Sequence, residues 1–407
     1  MLTDRGRWVL AVGGVTYLVA WAFGSEPLYP VAVGLVLAVA AAAVWVRILR
    51  RPMTLRRTIG RGEHVDGDDV PVSVELVVEG RLPAASLLLV ERIARFGQVK
   101  TVLERRHGKL SGGYILERVP RGRYPIEAAE VVIEDPFGLE RVDVELPRRE
   151  SLLVYPRLVD VAQLFSDTGT RLPGGRRLLL RRPTGFELHS VREHHQGESL
   201  RRVHWPQTAR RGYLMVKELE DAPRDEAAVL LDADGSVVVG VPPDSTFEVQ
   251  VRAAGSILRA HAKRGRRSSL VINSSLPVYQ RIHSFEGDWH RALELLASVE
   301  ADGHLPAAHM LTDEAGPASR AMELTVVTAI ASPKLVERLV QRAFAHHPCT
   351  VVYVDPRSFV EGPTPPDHDA TAQLLRLDRA GIPVAVVRKG DDLAEKLSPA
   401  ELGAAVG

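Results

Sequence analysis

AAVLLDADGSVVVGVPPDSTFEVQVRAAGSILRAHAKRGRRSSLVIN (227–273) decides the fold of the larger part of this chain. Its first five residues are all apolar, and the run ends on acids. A turn-rich connection leads into an amphipathic segment, TFEVQVRAAGSILRAHAKRG (246–265), closed by Gly265, and then into a second apolar run, SSLVIN (268–273). A strand with no polar alternation is covered on both faces, and a helix between two such strands brings the chain back so that they lie parallel. The pattern repeats downstream. DWHRALELLASVEAD (288–302) reads as a helix with Asp288 at its N-cap, and MELTVVTAI (322–330) as a strand. SPKLVERLVQRAFAHH (332–347) reads as a helix capped by Ser332 with Pro333 in its first turn. CTVVYVD (349–355), a helix near 367–380 and IPVAVVRKG (382–390) complete the series. The expectation is a doubly wound α/β domain over 227–398, with any ligand edge beyond the carboxyl ends of its strands.

Upstream the period changes to two. Between 54 and 156 short alternating bursts (VPVSVELVVEG, ASLLLVERIA, GGYILERV, AEVVIEDPFGL, VDVELP, SLLVYP) are separated by Gly and Pro turns, which predicts an antiparallel β-sandwich. Asp135, Pro136 and Gly138 are turn residues, and Phe137 is expected to plug the end of the sandwich. Residues 157–184 show only basic runs around Pro-Gly-Gly and read as a basic linker.

Residues 1–50 hold two charge-free stretches, about 8–24 and 28–46, joined by Gly24, Ser25, Glu26 and Pro27. Their lengths suit a transmembrane helical hairpin. A second span following at once, with no small-x-small cleavage site between, disfavours a signal peptide. Gly13, Gly14, Gly34 and the alanine run 38–43 permit close helix packing. Arg5 and Arg7 precede the first span, Arg47, Arg50, Arg51, Arg56 and Arg57 follow the second, and the turn carries only an acid, so the soluble part is expected in the cytoplasm. The basic cluster also suits anionic lipid headgroups.

The formal net charge of +1, with Arg interleaved among acids, gives no electrostatic case for nucleic acid. The lone Cys349 cannot form an internal disulfide and, lying in an apolar strand, reads as an inert core thiol.

The segment 185–226 begins GFELHSVREHHQGESLRRVHWPQTARRGYLMVKELE and is dense in Arg, His and Glu around one Trp. Guanidinium groups near Glu193, Glu198, Glu218 and Glu220 can form bidentate networks. The order Arg192-Glu193, Gly197-Glu198, Arg201-Arg202-Val203-His204-Trp205, then Ala209-Arg210, resembles the signature of the bacterial domain-of-unknown-function family fifty-eight. RGRYPIEAAEVVIEDPFGL (121–139) matches the same family. The chain departs from the pattern at His194, where the family has Tyr, and at Glu198, where it has Asp. The resemblance implies a membrane-anchored protein with a von Willebrand factor A-like domain, working with a MoxR-type AAA+ ATPase in envelope or complex assembly. Arg192, Glu193, Arg201, Arg202, Trp205 and Arg210 are expected to form a structural clasp, with Trp205 buried, and Gly197 and Glu198 to complete the signature.

The complete adhesion-type metal site of such domains is Asp-x-Ser-x-Ser plus a distant Thr and Asp. Here Asp232, Asp234 and Ser236 preserve only part of it, and no acid follows MELTVVTAI. No cofactor is therefore expected, with weak Mg²⁺ binding at these residues as the alternative to an Asp232 that hydrogen-bonds its own turn. Four histidines, 189, 194, 195 and 204, lack zinc-site spacing. No nucleophile elbow or Walker A loop is present in the sequence. A non-enzymatic membrane scaffold recognising protein partners is the expected function. The alternative is a metal-dependent hydrolase or ligand sensor built on 185–220.

Overall fold

Two apolar helices, α1 (Asp4–Phe23) and α2 (Leu28–Leu49), open the first of two units, Met1–Tyr155 and Pro156–Gly407. The computed structural model describes the chain except residues 61, 79–85, 107–108, 169, 172–176, 179–186, 194–202, 204, 221–226, 314–315, 361–367 and 400–407. Gly24 ends α1 in the left-handed conformation, with φ 67°. Gly13 faces α2, where an added Cβ would lie 3.2 Å from Leu35 Cβ, so this position admits the close approach; Gly14 and Gly34 have open space instead. Only 17% and 22% of the two apolar windows are buried, the reverse of a soluble core helix, and both helices are long enough to cross a bilayer.

Ten strands follow: β1 (Met53–Ile59), β2 (His64–Val65), β3 (Asp68–Val78), β4 (Ser86–Ile93), β5 (Gly97–Arg106), β6 (Lys109–Val119), β7 (Gly122–Ile126), β8 (Ala129–Glu134), β9 (Arg141–Leu146) and β10 (Glu150–Tyr155). Hydrogen bonds join them in the order β1-β3-β6-β5-β4-β7-β10-β2, with β8 bridging β4 and β9. All pairs are antiparallel except β10–β2, so this is a mixed sheet system. Alternating inward residues such as Val70, Val72, Val74 and Leu76 make the core, into which Val46 and Leu49 of α2 also pack. Arg57, grouped by sequence with the lipid-facing basic cluster, is instead buried: it pairs with Glu91, and with Glu150 at 3.0 Å. Tyr114 Oη donates to Glu91 at 2.7 Å, and burial pushes its phenol up.

The β8–β9 turn is built on Asp135. Its carboxylate accepts N–H bonds from Phe137 (2.9 Å), Leu139 (2.6 Å) and Glu140 (2.6 Å). The apolar side chain it turns inward is Leu139, which packs with Val39 and Ala42. Phe137 plugs nothing; it is 76% exposed. Thr3, the N-cap of α1, donates to Gly138 O at 2.6 Å, and a Cβ on Gly6 would fall 2.2 Å from Leu139 O.

In the second unit the stretch read as a linker packs down in its first part. Val161, Leu164 and Phe165 are buried, and Val159 N donates to Ser256 Oγ at 3.0 Å. Short strands β11 (Thr170–Arg171) and β12 (Arg177–Leu178) pair, as do β13 (Glu187–Glu193) and β14 (Met215–Glu220), with helix α3 (Trp205–Arg211) between the latter two. The main sheet comprises β15 (Ala227–Leu231), β16 (Ser268–Ile272), β17 (Val278–Ile282), β18 (Glu323–Thr328), β19 (Cys349–Val354) and β20 (Val384–Val387). Its order is β17-β16-β15-β18-β19-β20, parallel but for the antiparallel edge strand β17. The alternating VYQRI of β17 was not anticipated; half-exposed on an edge, it carries no continuous apolar run. Helices α4 (Thr246–Lys263), α5 (Asp288–Ser298), α6 (Pro317–Arg320), α7 (Pro333–Phe344), α8 (His368–Arg379) and α9 (Leu393–Leu397) connect them. Ser332 caps α7 by accepting from Leu335 N at 3.3 Å, as expected. Asp288 is not the cap of α5: Gly287 is, and the Asp288 carboxylate reaches back to His283 N and Ser284 N, both at 3.1 Å. Cys349 is buried and its thiol is pushed up to about 12, which fits the inert reading.

Candidate functional site

The strand order of the second sheet reverses between β15 and β18, and the chain leaves the two strands in opposite lateral directions. In open parallel sheets this switch point, at the carboxyl ends, leaves a crevice suited to ligands. Asp232, the residue after β15, occupies it and is 5% exposed. Its Oδ2 accepts from Thr328 Oγ1 at 2.6 Å, at the end of β18. Its Oδ1 accepts from Asn273 Nδ2 at 2.7 Å, at the end of β16, and from Asp234 N at 3.3 Å. Asn273 in turn accepts from Ala233 N at 2.5 Å and donates to Leu305 O at 2.8 Å. One carboxylate thus ties together the ends of three adjacent strands. Burial holds this carboxyl above the usual range, with the Thr328 and Asn273 donors opposing that shift.

Asp234 points elsewhere. Its Oδ1 accepts from Ser236 N at 2.9 Å and Ser236 Oγ at 2.6 Å, making the local turn that caps the following 3₁₀ helix. The structure therefore brings Asp232 to Thr328 and Asn273, while Asp234 and Ser236 satisfy one another. Both oxygens of Asp232 already accept hydrogen bonds, and Asn273 presents its NH₂ to the carboxylate. A cation bound by Asp232, Asp234 and Ser236 would have to displace these donors. Among the described residues no group of three or more His, Cys, Asp or Glu converges on a common point. Asn273 was invisible to the adhesion-site pattern, which has no Asn at that strand. Thr328 is the last residue of β18, where sequence alone gives its hydroxyl no partner.

Around this closed polar centre the loops expose apolar side chains. Val238 and Val241 follow β15, Leu276 follows β16, and Val360 follows β19. Leu305, whose carbonyl holds Asn273, is exposed as well. The loop carrying it comes very close: Gly303 N donates to Ala233 O at 2.9 Å, and a Cβ there would fall 2.2 Å from Asn273 O.

The signature segment differs from its expected form. Trp205 begins the two-turn helix α3 and is 65% exposed, so it does not anchor a clasp. Val203 and Met215 supply the buried apolar contacts instead. Met215 N donates to Thr208 Oγ1 at 3.0 Å. Arg210 lies exposed in the last turn of α3. Arg192 and Glu193 lie on β13, opposite Val216 and Met215. Gly197, Glu198, Arg201 and Arg202 lie outside the described residues, as do His194, His195 and His204. An exposed indole also suits the ligand-binding alternative; the arginine convergence that alternative requires involves Arg201 and Arg202, which lie outside the described residues.

The model of the family described as protein of unknown function DUF58 matches residues 190–357, from β13 through β19, and so contains Asp232, Asn273 and Thr328. The uncharacterized protein YeaD of Bacillus subtilis (strain 168) is 26% identical over 219 residues, 53% of this chain and 52% of that relative. The chain thus spans about half the length of that relative. Among solved structures, Cwp6 from Clostridium difficile is matched over 84% of this chain and 50% of its own, at 10% identity and a TM-score of 0.17, too low to indicate a common fold.

Proposed function

We propose that this chain is a non-enzymatic, membrane-anchored scaffold whose α/β unit recognises a protein partner. In this reading α1 and α2 cross the bilayer as a hairpin with both flanks, and the soluble units, on the cytoplasmic side, because Arg is concentrated at the outer ends and absent from the turn. The first unit is read as an antiparallel β-sandwich and the second as a von Willebrand A-like domain. The observation that carries the proposal is the switch point. The carboxylate most suited to chemistry already accepts from Thr328, Asn273 and Asp234 N, while the loops at these strand ends present Val238, Val241, Leu276, Leu305 and Val360 to solvent. Apolar side chains around a desolvated polar centre suit protein recognition. The sequence resemblance makes a MoxR-type AAA+ ATPase the partner to test.

The experiment is binding of the detergent-solubilised full chain to a purified MoxR-type ATPase, with a photo-crosslinking residue at Val241 or Leu276. Crosslinks at both positions, unchanged by chelator, support the proposal. Binding that requires millimolar Mg²⁺ and disappears in Asp232→Ala would instead make the Asp232 loop a working metal site. Absence of any complex would remove the ATPase as partner.

A further inference from the structure

We propose that the Asp135–Glu140 turn is a membrane contact in its own right, with the Phe137 ring inserted into the headgroup layer of the leaflet that α1 enters. The proposal rests on the reading that α1 and α2 span a bilayer. Three observations within the first unit carry it.

The first is level. Thr3 caps α1 and also holds Gly138 O at 2.6 Å, while Gly6 is pressed against Leu139 O. The turn is therefore fixed beside the first turn of α1, and the exposed Trp8 lies about 3 Å along the helix axis from Gly6 and about 8 Å from Thr3, at 1.5 Å per residue. Trp8 opens the charge-free span, at the depth where amphipathic rings sit in the interface. The second is exposure. The turn buries Leu139 and closes three N–H bonds on Asp135, so its fold gives Phe137 no packing task, yet the ring stands 76% exposed. A large apolar ring beside the entry of two apolar helices gains from an interface what it lacks in water.

The third is register. Met53 pairs with Val78, Leu76 with Leu110, Arg106 with Lys109, Ser86 with Glu104 and Glu134 with Arg141. The ladders thus gather the start of β1, the end of β5, the start of β6 and the β8–β9 turn at the end of the sheet where α2 enters. Arg50, Arg51, Arg105, Arg106 and Lys109 are all exposed there. Lys109 pairs with Glu75 at 2.7 Å and Arg106 with Glu104 at 3.3 Å. Such surface pairs are weak and leave the cations available to an anionic leaflet.

The test is a depth measurement on the full chain in phosphatidylcholine–phosphatidylglycerol vesicles. Phe137→Cys is spin-labelled, and Val15→Cys, an exposed mid-helix position of α1, is labelled separately. Cys349 is buried with its thiol pushed up to about 12, so the native protein takes no label. Relaxation by oxygen and by a water-soluble nickel chelate reports depth. Oxygen-dominated relaxation at both sites, shallower at 137 than at 15, supports the proposal. A lipid-embedded label at 15, with a label at 137 as open to nickel as free label in buffer, overturns it and leaves the spanning reading intact. A label at 15 that relaxes as in water overturns both.

Discussion

Thr328→Val removes one hydroxyl from the switch point at nearly constant volume. The bond lost is the 2.6 Å donor to Asp232 Oδ2, and Ile330 N loses its acceptor at 2.9 Å. A hydrogen bond to a charged group is worth about 1.5–3 kcal/mol, so the variant should lose roughly 2–4 kcal/mol with the second bond included. In a unit of this size that lowers the melting temperature by about 2–4 °C per kcal/mol. The loss depends on pH. Burial already holds the folded-state carboxyl above the ordinary value of about 3.9. The folded state therefore binds its proton before the unfolded chain does, and the stability this group contributes is lost as pH rises through the folded pKa. Removing a donor that favours the charged form raises that pKa further. The penalty of Thr328→Val should be largest at neutral pH and shrink toward about pH 4, close to the unfolded value. Trp289, buried and stacked on Phe285, reports melting of this unit by its emission in the detergent-solubilised chain. A penalty identical at both pH values, or no penalty, would refute the clamp as drawn.

Three further outcomes follow from contacts elsewhere in the two units. Arg57→Ala leaves Glu91 buried without its cation and should cost about 3–5 kcal/mol, read as a lower calorimetric transition of the first unit; an unchanged transition contradicts the buried pair. Gly6→Val forces a side chain into Leu139 O and should raise amide exchange across residues 135–141, whereas Gly14→Val, with open space around it, should leave those residues as protected as before. Trp205→Ala should change stability by no more than about 0.5 kcal/mol, as for other exposed positions, and a loss of several kcal/mol would restore the clasp.

Legibility followed chemistry rather than position in the chain. The α/β strands were readable because continuous apolar runs have few other uses, and Ser332 with Pro333 announced α7 by capping alone. β17 was missed because half-exposed edge residues carry no such run. Arg57 looked like its neighbours, since sequence does not tell an inward arginine from an outward one until its acid, Glu91, is placed 34 residues away. At the candidate site the acids drew attention because acids are what metal templates list. The larger part of the geometry comes from Asn273 and Thr328, neutral residues at strand ends whose role exists only once the strands are in register. Phe137 and Trp205 share one cause: in sequence an isolated aromatic looks like an anchor, whereas local turn or helix geometry turns it outward.

The clamp at Asp232 also sets an order of events during synthesis. Its partners lie 41 and 96 residues further along the chain. At elongation rates of about 5–20 residues per second, the carboxylate waits roughly 2–8 s for Asn273 and 5–20 s for Thr328. Until then the first strand's polar end and the apolar loops around it have no closed edge to rest on. The nascent chain thus carries an unclosed strand end there, and only a chain translated past Thr328 can close it.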